Sequence, residues 1–173
     1  PLHVWLPGAH ATAPSHVSAL MSGVLIKTGI YGLVRLTAAC DAPPLWWGYT
    51  LLGAGVVSGV LGVAFAVAQH DLKRLLAWST VSQVAYMLAG VSVSAATDGE
   101  GVAGAQAGIF HLLSHAAFKA LLFLVAGCVT HVVGSTLLAD MGGLRRTHAP
   151  LALLLGLGLA VGVSLVIAVS ALS

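Results

Sequence analysis

Long apolar runs separated by short connectors dominate the pattern of this chain. Five runs lie at about 15–36, 46–68, 75–94, 102–133 and 150–173. An apolar run of roughly 20 residues is long enough to cross a bilayer as an α-helix. The connectors leave no room for a sizeable soluble domain between the runs. The pattern therefore predicts an all-α fold, a polytopic transmembrane bundle of about five membrane helices.

A proline-rich stretch, PLHVWLPGAHATAP, precedes the first run. Pro1, Pro7 and Pro14 each lack a backbone N–H and clash with the preceding turn, so one uninterrupted helix through Leu36 is not expected. Irregular backbone at membrane depth is stable only where it packs within protein or lines a water-filled cavity. We therefore predict a broken first helix, with the stretch up to Pro14 non-helical or only partly helical.

The composition supports the membrane assignment. Of the 173 residues, 58% are hydrophobic and 7% are charged, and the mean hydropathy is +1.00. No ordinary soluble domain is this apolar. The net charge of +2 is small and the basic residues are scattered, so no nucleic-acid partner is indicated. Cys40 and Cys128 have neither metal-ligand spacing nor the number needed for a disulfide framework.

The chain is interpreted as one transmembrane domain, residues 1–173, which is a fragment of a larger transporter domain. It begins with proline, without the basic segment and cleavage site of a signal peptide, and it stops inside the apolar run LVIAVSALS. Both ends are therefore expected to lie within a longer protein.

Two histidines and a lysine interrupt the fourth apolar run. In FHLLSHAAFKALLF, His111, His115 and Lys119 are spaced i, i+4, i+8, which aligns them on one helix face over about 12 Å. A lysine at mid-bilayer costs about 3 kcal/mol on insertion scales unless water or a partner accompanies it. Imidazole exchanges protons near neutral pH, and desolvation favours the neutral form of lysine. This His–His–Lys stripe is predicted to line a wet path and to relay protons.

Two further lysines are candidates for the same relay. Lys27 lies in GVLIKTGIYGL, too deep in the first run to reach either interface easily. Lys73 lies in HDLKRLLAW at a predicted helix start, where a functional role and an ordinary interfacial charge are equally compatible. His3, His10 and His16 match no metal motif, and we interpret them as a wet vestibule or as interfacial histidines.

Two other interpretations of the stripe stay open. One is a hydrogen-bonded packing cluster without transport. The other is a zinc site on His111 and His115, which is weaker because no carboxylate or cysteine accompanies them. We predict neither a metal site nor a cofactor.

Small and polar residues in two runs predict close helix packing. Ser79, Thr80, Ser82 and Gln83 suit a third helix that faces other helices rather than lipid. In the second run, glycines allow helices to approach closely, namely Gly53, Gly55, Gly59 and Gly62.

Three ordered motifs together resemble a known family. They are PLHVWLPGAHATAPSHVSALMSGVLIKTGIYGL, HDLKRLLAWSTVSQVAYM and FHLLSHAAFKALLFLVAGCVTHVVGSTLLADMGGL. They resemble the proton-conducting antiporter-like membrane subunits of respiratory complex I, of Mrp-type Na⁺/H⁺ antiporters and of membrane-bound group 4 hydrogenases such as formate hydrogenlyase. The resemblance covers about Pro1 to Leu144, and SHVSALMSGVLIKTGIYGL is most similar to the hydrogenase-type subunit.

The resemblance implies that this segment is the second of two inverted helical repeats, opening at its broken helix. It also implies that Lys27, Lys73 and the stripe are proton-relay residues. The glutamate that pairs with the Lys27 position belongs to the first repeat, and neither that repeat nor the last broken helix is in this segment. By itself the segment is therefore not expected to complete a proton path.

The function predicted from residues and resemblance is proton translocation by a non-catalytic membrane subunit of an NADH dehydrogenase-type or hydrogenase complex. The expected partners are the bilayer, other membrane and peripheral subunits, and H⁺, with Na⁺ left open. The expected location is a bacterial plasma membrane. The alternative is a structural membrane anchor without ion transport. A transporter of organic solutes is disfavoured, because no apolar run contains an acidic residue to bind a cationic substrate.

Overall fold

The computed structural model describes residues 3–40, 43–96 and 102–172, with side chains described through residue 162. The helices are α1 (Trp5–Thr12), α2 (Ser15–Leu20), α3 (Lys27–Ala38), α4 (Leu45–Val67), α5 (Leu72–Ala96), α6 (Val102–Val133), α7 (Leu144–Thr147) and α8 (Ala149–Leu172). A π-helical turn, Met21–Leu25, joins α2 to α3, and a 3-10 turn, Leu138–Met141, follows α6.

Four helical stretches are long and apolar enough to cross a membrane. They are Ser15–Ala38, Leu45–Val67, Leu72–Ala96 and Val102–Val133. The 24-residue helix α8 adds a fifth apolar helix. The predicted all-α, polytopic bundle is therefore confirmed.

The first helix is broken where the prolines predicted a break. Ala13 is extended, with φ −71° and ψ 147°, and Pro14 has ψ 148°. Pro14 precedes the first residue of α2, and Pro7 lies in the first turn of α1, where a backbone N–H has no intrahelical partner in any case. The stretch before Ser15 is thus partly helical, as expected.

Helix α5 lies at the centre of the bundle and packs closely on α4. A methyl group added at Gly62 would come within 2.8 Å of the backbone nitrogen of Ser82, and Gly55 and Gly59 also face α5 at short range. No atom lies within 4 Å of the corresponding position at Gly53. The predicted close approach is confirmed for three of the four glycines and is wrong for Gly53.

The connectors after α4 and after α6 lie side by side. The Leu72 N–H donates to the carbonyl of Thr136 at 3.0 Å, and the Leu138 N–H donates to the carbonyl of His70 at 2.9 Å. These backbone bonds fix the start of α5 against the chain that leaves α6. Beneath them is an apolar core built from α2, α5 and α6, and it includes Leu72, Leu76, Phe118, Leu122, Phe123 and Ala126.

Candidate proton-relay site

The His–His–Lys stripe faces the interior of the bundle. His111, His115 and Lys119 are 2%, 0% and 3% exposed, because their face of α6 packs against α5 and the α2–α3 segment. The ring centroids of His111 and His115 are 6.0 Å apart. The sequence prediction that the stripe shares one buried face is confirmed.

Lys119 is held by oxygen atoms of α5. Its Nζ donates to the hydroxyl oxygen of Ser79 at 2.6 Å and to the carbonyl oxygen of Leu76 at 3.1 Å. An ammonium has three donors, so one N–H remains for a further acceptor. A cavity of about 350 Å³ lies beside this group between α5, α6 and α8, and Gln83 and Gly158 are among the residues that line it. Lys119 therefore borders an open space whose other polar lining residues are Ser79 and Gln83.

Lys27 follows the π-helical turn and is also buried, at 4% exposure. Its Nζ donates to the carbonyl oxygen of Ser22 within that turn, and the Ser22 hydroxyl lies 3.3 Å from the Thr80 hydroxyl of α5. π-helical turns inside α-helices are frequent at functional sites. The hydroxyl contact fixes the turn, and thus Lys27, to the central helix.

Lys27 and the stripe form one buried group. The charge of Lys27 acts electrostatically on His111, His115 and Lys119. None of the four membrane-length stretches contains Asp or Glu. In a low-dielectric interior, like charges on such neighbouring groups repel one another.

His10 belongs to the same group, although its sequence environment did not indicate this. It is fully buried, and its ring stacks on Phe123 of α6 with centroids 4.6 Å apart and planes 15° apart. It also lies within electrostatic range of Lys119. The expectation of a plain interfacial histidine is therefore wrong for His10, because its side chain is fully buried. The apolar residues Leu6 and Pro7, four and three residues earlier, are the local signal for a buried His10, and both are buried in α1.

The imidazole nitrogens have few protein partners. Both ring nitrogens of His10, His111 and His115 are buried and lack a hydrogen-bond partner among the described residues. Buried polar groups are normally satisfied by protein or by ordered water. Both nitrogens of each ring therefore remain available for further hydrogen bonds.

Lys73 contacts the break between α1 and α2. Its Nζ donates to the carbonyl oxygen of Ala13, at the break between α1 and α2, over 3.1 Å. The structure therefore brings four of the predicted residues together, namely Lys27, His111, His115 and Lys119, and places Lys73 at the helix break. Within residues 3–40, 43–96 and 102–172, no group of three or more His, Cys, Asp or Glu side chains is placed to hold a metal ion.

Comparison with known proteins gives several matches. Residues 1–165 match the family described as NADH:quinone oxidoreductase/Mrp antiporter, transmembrane. Hydrogenase-4 component B of Escherichia coli is 46% identical over 154 residues, covering 84% of this chain and 23% of that protein. Formate hydrogenlyase subunit 3 of the same organism is 35% identical over 164 residues, covering 92% and 27%. The chloroplastic NAD(P)H-quinone oxidoreductase subunit 5 of Chaetosphaeridium globosum is 42% identical over 156 residues, covering 84% and 22%. The chain spans about a quarter of the length of these relatives.

Proposed function

Because this chain belongs to the NADH:quinone oxidoreductase/Mrp antiporter transmembrane family, we propose that it forms part of a subunit that moves protons across the membrane. It is an integral membrane protein, and the relatives are named as parts of hydrogenase-4, formate hydrogenlyase and NAD(P)H-quinone oxidoreductase. We further propose that the chain moves protons as part of a non-catalytic subunit in a bacterial plasma membrane.

The observation that carries the proposal is the buried basic group at the centre of the bundle. Lys27, His111, His115 and Lys119 are all buried and lie within electrostatic range of one another. Ionisable residues inside a membrane are costly, and they normally mark ion or proton pathways. A packing cluster would instead pair the imidazoles, yet their nitrogens have no hydrogen-bond partner among the described residues.

The proton moves stepwise in this proposal. Lys119 holds it against the neutral oxygens of Ser79 and Leu76 and passes it by way of water to His115 and His111. Protonation of Lys27 repels a proton elsewhere in the group, so charging one lysine promotes release from the other. Lys73, which the sequence also predicted as a relay residue, bonds to the carbonyl oxygen of Ala13 at the helix break, so we assign it a separate role.

The partners proposed for the chain are the other membrane and peripheral subunits of a hydrogenase-type or NADH dehydrogenase-type complex. The 46% identity to hydrogenase-4 component B favours the hydrogenase type. Whether the complex moves Na⁺ or H⁺ is tested by measuring which of the two ions forms a gradient across the membrane of a sealed vesicle.

The test uses the full-length subunit in its complete complex, reconstituted in sealed vesicles. Lys27→Met is expected to abolish most of the pH gradient, because methionine fills similar space but carries no proton. Arg35→Met is the matched control, since Arg35 is an exposed cation at the end of the same helix. A wild-type gradient in Lys27→Met would instead favour the structural membrane anchor.

A further inference from the structure

Lys73 connects the central helix to the break in the first helix. Its Nζ donates to the carbonyl oxygen of Ala13 at 3.1 Å, sixty residues away in sequence. Ala13 directly follows the last residue of α1 and has left the helical conformation. The last carbonyls of any α-helix lack intrahelical partners. The ammonium of Lys73 therefore satisfies an acceptor at the end of α1.

The positive charge of Lys73 is electrostatically unfavourable for the helix that carries it. Lys73 is in the first turn of α5, where the helix dipole disfavours a positive charge. At the carboxyl end of α1 the same charge is favourable. The contact therefore stabilises the carboxyl end of α1, although the charge is unfavourable at the start of α5.

The start of α5 is a fixed platform for this contact. The Asp71 carboxylate accepts a hydrogen bond from the Arg74 backbone N–H at 2.9 Å. The backbone of Leu72 is bonded to Thr136 at 3.0 Å. Because the Asp71 and Leu72 hydrogen bonds fix the start of α5, Lys73 can restrain the end of α1.

The element restrained by Lys73 carries His10. The carbonyl of His10 accepts a hydrogen bond from the Ser18 hydroxyl at 3.3 Å, and its ring stacks on Phe123. We propose that Lys73 is a positioning residue: it fixes the end of α1 and so holds His10 on Phe123 beside Lys119. This role rests on the proposed function for its effect on pumping, and it requires a permanent positive charge rather than an exchangeable proton.

Pumping by the full complex distinguishes positioning from relay. Lys73→Arg keeps a charged donor that never releases its proton, so it is expected to retain most of the wild-type gradient. Lys73→Met removes the donor and is expected to lower the rate by about tenfold, which corresponds to the loss of a charged hydrogen bond. Arg74→Met removes the neighbouring exposed cation and is expected to pump normally. Equal losses in Lys73→Arg and Lys73→Met, or normal pumping in Lys73→Met, would overturn the proposal.

A second measurement does not depend on pumping. A cysteine is placed at Thr12, the exposed last residue of α1, in a full-length protein without other cysteines, and its rate of maleimide labelling is compared among variants. The rate is expected to change about tenfold in Lys73→Met and to stay near wild type in Lys73→Arg and Arg74→Met. An unchanged labelling rate in Lys73→Met would overturn the positioning role, whether or not the complex pumps protons. Failure of the positioning role can therefore be distinguished from failure of the proposed function.

Discussion

The ammonium of Lys119 on α6 lies 2.6 Å from the hydroxyl oxygen of Ser79 on α5. The cation is thus held by neutral oxygens, and no carboxylate occurs in the four membrane-length stretches. When such a lysine releases its proton, no unpaired buried anion is left behind. This arrangement permits proton transfer at lower cost than a buried salt bridge, whose partner would be stranded.

Lys119 is expected to act by exchanging its proton. Lys119→Ala should abolish most proton pumping by the full complex while the complex still assembles, and Lys119→Arg should not restore pumping, because arginine cannot release its proton. The measurements are the vesicle pH gradient and the amount of assembled complex. Retained pumping in Lys119→Arg would mean that this position needs only a fixed charge, and it would remove Lys119 from the relay.

The hydroxyl of Ser79 is expected to tune Lys119. Ser79→Ala removes its closest acceptor, so pumping should fall several-fold, with a loss of about 1 kcal/mol of stability, as for other hydrogen bonds between membrane helices. Ser114→Ala is the control, since that hydroxyl donates only to backbone carbonyls of its own helix, those of Phe110 at 3.0 Å and His111 at 3.1 Å. If both variants pump alike, the Ser79 contact does not contribute to transport. Rates are compared at equal amounts of assembled complex.

The helices and the shared face of the stripe were predictable because they follow from local periodicity. Lys119 and His115 lie four residues apart, and α-helical geometry alone places them together. The break at Ala13 was predictable because Pro14 fixes the backbone before it. These features need no knowledge of which helix packs on which.

The position of His10 and the role of Lys73 were not predictable, because both depend on contacts distant in sequence. His10 is buried by Phe123, 113 residues later, and Lys73 meets a carbonyl across the helix break. The π-helical turn before Lys27 was also not predicted, since Met21–Leu25 contains no proline and its Ser22–Gly23 pair permits a regular helix as well as a distorted one. In each case, tertiary packing decides between conformations that the local sequence permits.

The seam between α4 and α5 is expected to tolerate no added volume at Gly62. A Cβ there would lie 2.8 Å from the backbone nitrogen of Ser82, and backbone atoms cannot turn aside as a side chain does. Gly62→Ala should destabilise the bundle by about 1–3 kcal/mol, the usual cost of overpacking. Gly53→Ala, where no atom lies within 4 Å, should be neutral or slightly stabilising. Thermal unfolding of the purified full-length protein in detergent measures both, and equal effects would contradict the packing argument.

His10 is expected to have two roles: its nitrogens take part in proton movement, and its ring packs on Phe123. The substitution His10→Phe separates these two roles. His10→Phe keeps an aromatic ring for the stack on Phe123 but removes both nitrogens. The amount of assembled complex should therefore stay near wild type. Pumping should fall by about tenfold or more, because a positioned proton-transfer group accelerates a reaction by at least that much. His16→Phe, at an exposed position, should leave pumping unchanged because that imidazole faces away from the buried group. Normal pumping in His10→Phe would show that only the stack matters. His10 would then be a packing residue, and the proton path would have to approach Lys119 from the cavity beside Gln83 instead.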